Sequence, residues 1–203
     1  IKTKKPMIIS LGVTRFKEIL DLSKFLKMKK VKNYAFLKCT SSYPAKVEDS
    51  NLKTIIDLKK RFKVEIGLSD HTPGIGASVA AVAYGASIIE KHFTLNKNDG
   101  GLDDSFSINP DELYNLVNET RRAWSSLGKK FYGILKSEKG SMIFKRSIYS
   151  AKFIKKGELF TKKNIRVIRP NKGIPPKYYE KILEKRSLKD IQPASPIKYK
   201  YFK

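Results

Sequence analysis

The sequence predicts a mixed α/β chain, in which a parallel sheet carrying helices on its outer face is followed by a small, mostly β domain. Apolar runs of strand length, KPMIISLG, NYAFLKCTS, KVEIGLSD and ASIIEKHFT, recur along the first half of the 203 residues. Between them TRFKEILDLSKFLK, EDSNLKTIIDLKKRF and PGIGASVAAVAYG place apolar residues at helical spacing. Strands that alternate with helices pair in parallel. After Gly140 the rhythm changes to short β-prone runs separated by Gly, Pro and Lys turns.

The elements follow in order. In the second helical segment Leu52, Ile55, Ile56 and Phe62 fall on or near one stripe, the side expected to cover the sheet. The glycines of PGIGASVAAVAYGAS match neither the dinucleotide fingerprint nor the P-loop, so close helix packing is their expected purpose. The fourth strand leads through NKNDGGLDDS to the best-marked helix. There Asn109 is the expected N-cap, Pro110 the first helical residue, and Glu112 completes a capping box. Leu113, Leu116, Val117 and Trp124 form its apolar stripe, and Gly128 follows its end. A polar join rich in Gly, Lys and Ser spans about residues 128 to 145, which places the two domains at 1–135 and 136–203. In the second, RSIYSA, ELFT, IRVIRP and SPIKYKYF read as strands, and YYEKILEKR as a brief helix.

Composition excludes several classes. At 40% hydrophobic residues the chain can bury a core, while its apolar runs are too short to cross a bilayer and no secretory signal is visible, so no membrane is expected. The single cysteine, Cys39, rules out an internal disulfide and fits a reducing compartment, so the expected location is cytoplasmic. The net charge of +24 arises from 35 Lys and only 8 Arg scattered along the chain, a pattern that argues against a nucleic-acid partner. Ser141–Lys203 holds 18 basic and 4 acidic residues, a field that favours anions, including a phosphorylated substrate.

In a parallel α/β domain, ligands gather at the carboxyl ends of the strands. Ser10 ends the first run, Thr40, Ser41, Ser42 and Tyr43 the second, Ser69, Asp70 and His71 the third, and Glu90 and His92 the fourth. His71 and His92 are the chain's two histidines. A lone histidine is more often a satisfied core or surface residue, but two at matching strand ends read as one site able to hold a divalent ion. Asp103 and Asp104 stand in a glycine loop over the same mouth, where turn formation and ligand contact are both open readings. Cys39 lies inside an apolar run and is expected to be a buried small hydrophobe.

LKCTSSYPA, IGLSDHTPGIGASVAAVAYGASIIEKHFTL, GGLDDSFSINPDEL and RSIYSAKFIKKGELFTKKNIRVIRPNKGIPPKYYEKILEKR together resemble the sialic acid synthase family of nonulosonate synthases, essentially from end to end. Lys38 before the cysteine, the double serine before Tyr43 and the GGLDDSFS loop are similar to the pseudaminic branch. The resemblance implies the C-terminal half of a (β/α)8 TIM barrel followed by a SAF, or antifreeze-like, domain, in a domain-swapped homodimer. It places the start of the chain at the fifth strand, leaving four units of a barrel of about 250 residues outside it. Four strands cannot close a barrel, so the chain alone is expected to be inactive and poorly soluble.

The resemblance also implies a reaction. Phosphoenolpyruvate condenses through C3 with the aldehyde of a di-acetamido or N-acetylamino sugar, water adds at C2, and phosphate leaves. His71, His92 and Glu90 would be catalytic, the two histidines holding a divalent metal such as manganese, magnesium or cobalt. Ser41 and Ser69 match positions that hold phosphoenolpyruvate. Tyr43, Glu90 and Asp103 match positions that grip sugar hydroxyls or sit by the metal. Arg169, in VIRPNKG, matches an arginine that the small domain sends into the partner subunit's site, where a planar fork suits an acylamido oxygen. The alternatives are a legionaminate or N-acetylneuraminate synthase, or a non-catalytic carbohydrate-binding remnant.

Overall fold

The computed structural model describes residues 1–202 in two compact units, Ile1–Lys129 and a second starting at Lys130. The units part within the polar join. In the first, β1 (Met7–Ser10), α1 (Phe16–Met28), β2 (Tyr34–Cys39), α2 (Lys53–Phe62), β3 (Glu65–Asp70), α3 (Gly76–Ala83), β4 (Ile89–Lys91) and α4 (Pro110–Leu127) follow in order. The four strands form one parallel sheet in the order β1-β2-β3-β4. This is half of a (β/α)8 barrel, curled with its helices outside.

Successive strand residues point to opposite faces, and the sequence uses both. Ile9, Phe36, Ile66 and Leu68 pack with Leu26, Ile55, Leu58, Phe62 and Ala81 into the core under the helices. Phe36 meets Phe62 edge-on with ring centroids 5.6 Å apart. Gly67, between two of these core residues, faces the other way. A Cβ there would strike the Ile88 carbonyl and come within 2.5 Å of Leu37 Cδ2, so only glycine lets β3 and the Ile88 segment approach.

The helices depart from the expected stripes in one respect. On α2 the buried residues are Ile55, Leu58 and Phe62, while Ile56 is half exposed because the stripe turns away from it. On α4 only Leu116 is buried, and Trp124 is 71% exposed. Helical spacing marks a face as apolar; a packing partner is needed to bury it. The α4 N-terminus agrees with its expected cap: Asn109 Oδ1 accepts from Glu112 N at 2.9 Å, and Asn109 N donates to Glu112 Oε2 at 3.0 Å. Lys97 Nζ lies 2.7 Å from Glu112 Oε2, tying the preceding loop to the same cap. β4 is shorter than its apolar run. Beyond Lys91 its backbone is taken over by Ile108, whose N–H donates to the His92 carbonyl and whose carbonyl accepts from Thr94 N.

In the second unit β5 (Ser147–Ser150) pairs antiparallel with β6 (Ile165–Ile168), and α5 spans Tyr179–Leu183. Ile148, Ile154, Phe160, Ile165, Ile174, Ile182, Ile191 and Ile197 form its core. The ELFT and SPIKYKYF runs join by single bridges, Leu159 to Arg186 and Tyr149 to Pro196, rather than as full strands. Among the described residues no helix is long and apolar enough to cross a membrane.

Candidate active site

Strand alternation decides which polar residues reach the mouth. Ser10, Cys39, Ser69 and Glu90 stand on the face opposite the helical core, and the chain beyond each strand continues the pattern. With Gly12, Ser41, Tyr43, His71 and His92 they line a cavity of about 340 Å³ at the carboxyl ends of the strands. A larger cavity of about 810 Å³ opens at the amino ends, beside Ile8, Lys32, Lys59 and Lys63. Its charged lining is three lysines with Glu65 and it holds neither histidine, so the smaller cavity is the candidate site.

The two histidines lie side by side, edge to face, with ring centroids 5.2 Å apart and planes 74° apart. His71 is buried, and its Nδ1 lies 2.9 Å from the Thr40 carbonyl oxygen. A carbonyl only accepts, so Nδ1 carries the proton and Nε2 is left with its lone pair. His92 Nδ1 lies 3.2 Å from Asp103 Oδ2, which orients the second ring the same way. Tyr43 packs against both, tilted with its ring 4.3 Å from His71 and edge-on at 5.7 Å from His92, and Phe106 backs His92 at 5.2 Å.

These imidazoles fit a shared divalent ion. An ion about 2 Å from each nitrogen lies about 3 Å from each ring centre, and centroids 5.2 Å apart are within that span. Among the described residues no third His, Cys, Asp or Glu completes a metal-binding group, so remaining positions would fall to water or substrate oxygen. Beside the pair, Ser69 Oγ donates to Glu90 Oε1 at 2.7 Å. Cys39, expected to be buried, is only partly so. Its Sγ lies 3.5 Å from Ser41 Oγ and 3.9 Å from His71 Nδ1, against the site. A Cβ at Gly12 would collide with Ser41 Oγ, so glycine there leaves room for that hydroxyl.

On the opposite face, directly behind the histidines, lies a buried polar cluster. Asp70 Oδ2 accepts from Lys91 Nζ at 3.1 Å and from Ser78 Oγ at 2.6 Å. Asp70 Oδ1 accepts from Thr72 N at 2.9 Å and Thr72 Oγ1 at 2.8 Å. Burial alone pushes the Asp70 carboxyl up, but the hydrogen bonds from Ser78 and Thr72 and the Lys91 charge outweigh it and hold the group below its usual range.

The structure therefore brings together Ser41, Tyr43, Ser69, His71, Glu90, His92 and Asp103. Arg169 belongs to the second unit, directly after β6. Sequence reasoning missed Phe106, the Thr40 carbonyl, and the pairing of Asp70 with Lys91. The last was marked only by position, since each residue immediately precedes a histidine.

The profile of the NeuB family matches residues 1–132, and that of the SAF domain residues 145–203. Pseudaminic acid synthase of Campylobacter jejuni subsp. jejuni serotype O:23/36 (strain 81-176) is 42% identical over 202 residues, covering 100% of this chain and 59% of that protein. N,N'-diacetyllegionaminic acid synthase of Campylobacter jejuni serotype O:2 is 40% identical over 194 residues, covering 94% of this chain and 58% of its own length. The crystal structure of N-acetylneuraminic acid synthetase from Leptospira borgpetersenii, a citrate complex, superposes with a TM-score of 0.63 at 38% identity, covering 70% of this chain and 49% of that one. The chain spans about three fifths of the length of the curated relatives it matches. From the half-barrel, its strand-end histidines and these matches together, the chain belongs to the NeuB family and carries a SAF domain behind its barrel half.

Proposed function

We propose that the chain forms the C-terminal barrel half and SAF domain of a nonulosonate synthase of the pseudaminic branch that joins phosphoenolpyruvate to an acylamino-sugar aldehyde. The observation that carries this reading is the adjacent pair His71 and His92, each with Nδ1 engaged and Nε2 free. The new bond joins C3 of phosphoenolpyruvate to the aldehyde carbon, whose oxygen takes a proton and becomes a hydroxyl. Water adds at C2, the C2–O bond to phosphate breaks, and a 2-keto acid and inorganic phosphate result. A bound divalent cation would supply Lewis-acid polarisation of the aldehyde.

The chain's own side chains do the positioning. Tyr43 stands beside both histidines and is half exposed, within reach of a sugar hydroxyl through its phenol. Asp103 keeps His92 in its tautomer. Ser69 now donates to Glu90. To hold the anionic phosphoenolpyruvate beside Ser41 it must turn that proton outward, which frees Glu90 to accept from a sugar hydroxyl or the attacking water. We place Arg169 at the sugar's acyl group in a partner subunit of a domain-swapped dimer, a reading that rests on family resemblance.

The test uses a polypeptide in which these residues are joined by the remaining barrel strands. Phosphate release should require both phosphoenolpyruvate and an acylamino sugar, fastest with a di-acetamido sugar. Phosphate release indifferent to every sugar would overturn the synthase reading. Arg169→Ala should raise the KM for the sugar by about 10- to 100-fold, as for losing one charge-assisted hydrogen bond, with little change for phosphoenolpyruvate. At sugar concentrations well below the raised KM, the heterodimer of Arg169→Ala and His71→Ala protomers should regain up to about half the wild-type activity, since a swapped dimer then has one site with both lesions and one with neither. A heterodimer no more active under those conditions than the two variant homodimers would end the swap.

A further inference from the structure

We propose that the buried Asp70–Lys91 ion pair is the positioning element of the active-site histidines, setting the spacing of His71 and His92 from the far side of the sheet. The β3–β4 ladder is only three residues long, Leu68 with Ile89, Ser69 with Glu90 and Asp70 with Lys91, and it stops there. One residue further the two backbones have different partners. The His71 carbonyl accepts from Ala45 N, and the His92 carbonyl accepts from Ile108 N. No strand pairing holds the first imidazole to the second. The last tie between the strand ends is the side-chain pair at Asp70 and Lys91.

That tie reaches across His71. Lys91 Nζ donates to Asp70 Oδ2 at 3.1 Å and to the Thr72 carbonyl at 2.5 Å, so one ammonium grips the residues on both sides of the histidine. Thr72 closes the segment by donating to Asp70 Oδ1 through N and Oγ1, and Ser78 anchors the same carboxylate to α3. The side chains of Lys91 and Asp70 are 3% and 2% exposed. Removing two charges from water offsets most of what their attraction gains, so a pair of this kind is poor evidence of added stability. What it fixes is direction. With Asp70 and Lys91 locked on the outer face, alternation sends His71 and His92 inward side by side.

The consequence for metal binding rests on the reading of the site given above, and the experiment separates the two. With the histidine label confined to this segment of the joined polypeptide, its two histidines give a simple imidazole spectrum. Rings 5.2 Å apart should show a nuclear Overhauser effect between them. Lys91→Met leaves a buried carboxylate alone and is at risk of unfolding. The double variant Asp70→Asn/Lys91→Gln keeps hydrogen-bonding groups without charge, and Lys91→Arg keeps the charge. We expect the double variant to retain the amide spectrum of the core but lose the ring-to-ring effect. Its manganese affinity, read by paramagnetic broadening of both imidazoles, should fall by about 10- to 100-fold. Lys91→Arg should restore both. A folded double variant with the effect and the affinity intact overturns the proposal. Loss of the ring-to-ring effect in a protein that binds no manganese even as wild type supports the positioning pair and removes the metal reading instead.

Discussion

In the synthase proposed above, His71→Ala or His92→Ala should abolish manganese-stimulated condensation and lower kcat/KM by about a thousandfold. The size follows from the several kcal/mol that a Lewis acid contributes to a developing charge, at about 1.4 kcal/mol per factor of ten. The two variants should differ in their side effects. His71 is buried and bonded to Thr40, so its loss also leaves an unpaired carbonyl and a void under Tyr43. His92 is a third exposed, and its loss should leave folding nearly unchanged. The check is a steady-state assay with manganese titrated at saturating substrates, beside an unfolding measurement for each variant. If either variant keeps a normal manganese-stimulated rate, the shared site is wrong.

Asp70→Ala should destabilise the first unit by about 3 to 5 kcal/mol at neutral pH, because it strands the Lys91 ammonium in a site closed to water. The effect carries a pH signature. The Asp70 carboxyl is held below its ordinary value in the folded state, by Ser78, Thr72 and Lys91 against the opposing effect of burial. Its contribution is therefore complete above the unfolded value near 3.9 and disappears as pH falls through the lower folded value. The wild type should lose stability below about pH 4, while the variant loses less over the same interval. Hydrogen exchange at the β3 and β4 amides, followed from pH 7 to pH 3, reads this unit alone. A difference under about 1 kcal/mol at pH 7 would show that the buried pair contributes little to folding.

Much of the site was legible because strand ends are local. An apolar run that stops at a Ser, Asp or His marks both the strand and its mouth, and His71, Glu90 and His92 were placed at the mouth that way, whereas Asp103 stood in a glycine loop whose spacing left turn and ligand contact equally open. The role of Asp70 was not. Its side chain points away from the mouth, and its partner is 21 residues away on a neighbouring strand. Only the pairing register of β3 with β4 reveals it, and register is a relation between segments rather than a property of either. The same reasoning explains Trp124, whose helical spacing agreed with a buried stripe and whose exposure was decided by what packs against α4. In the second unit, ELFT and SPIKYKYF have strand composition, yet each makes one bridge, whereas the equally short β5 and β6 form a full ladder, because pairing needs a neighbour in register and not composition alone.

The segment between β4 and α4 is closed twice, first where Ile108 pairs beside His92 and again where Lys97 meets the Glu112 cap. Each closure shortens the span of chain that must find its place, so by the time Asp103 meets His92 only a short loop is left to order. Loop-closure entropy grows slowly, by about 0.6 kcal/mol for each doubling of length. The stretch Asn98–Gly101 lies inside both closures and is exposed apart from neighbouring Lys97. It is thus the place where this half-barrel can gain residues at small entropic cost, without disturbing the bridge at Ile108 or the cap at Glu112.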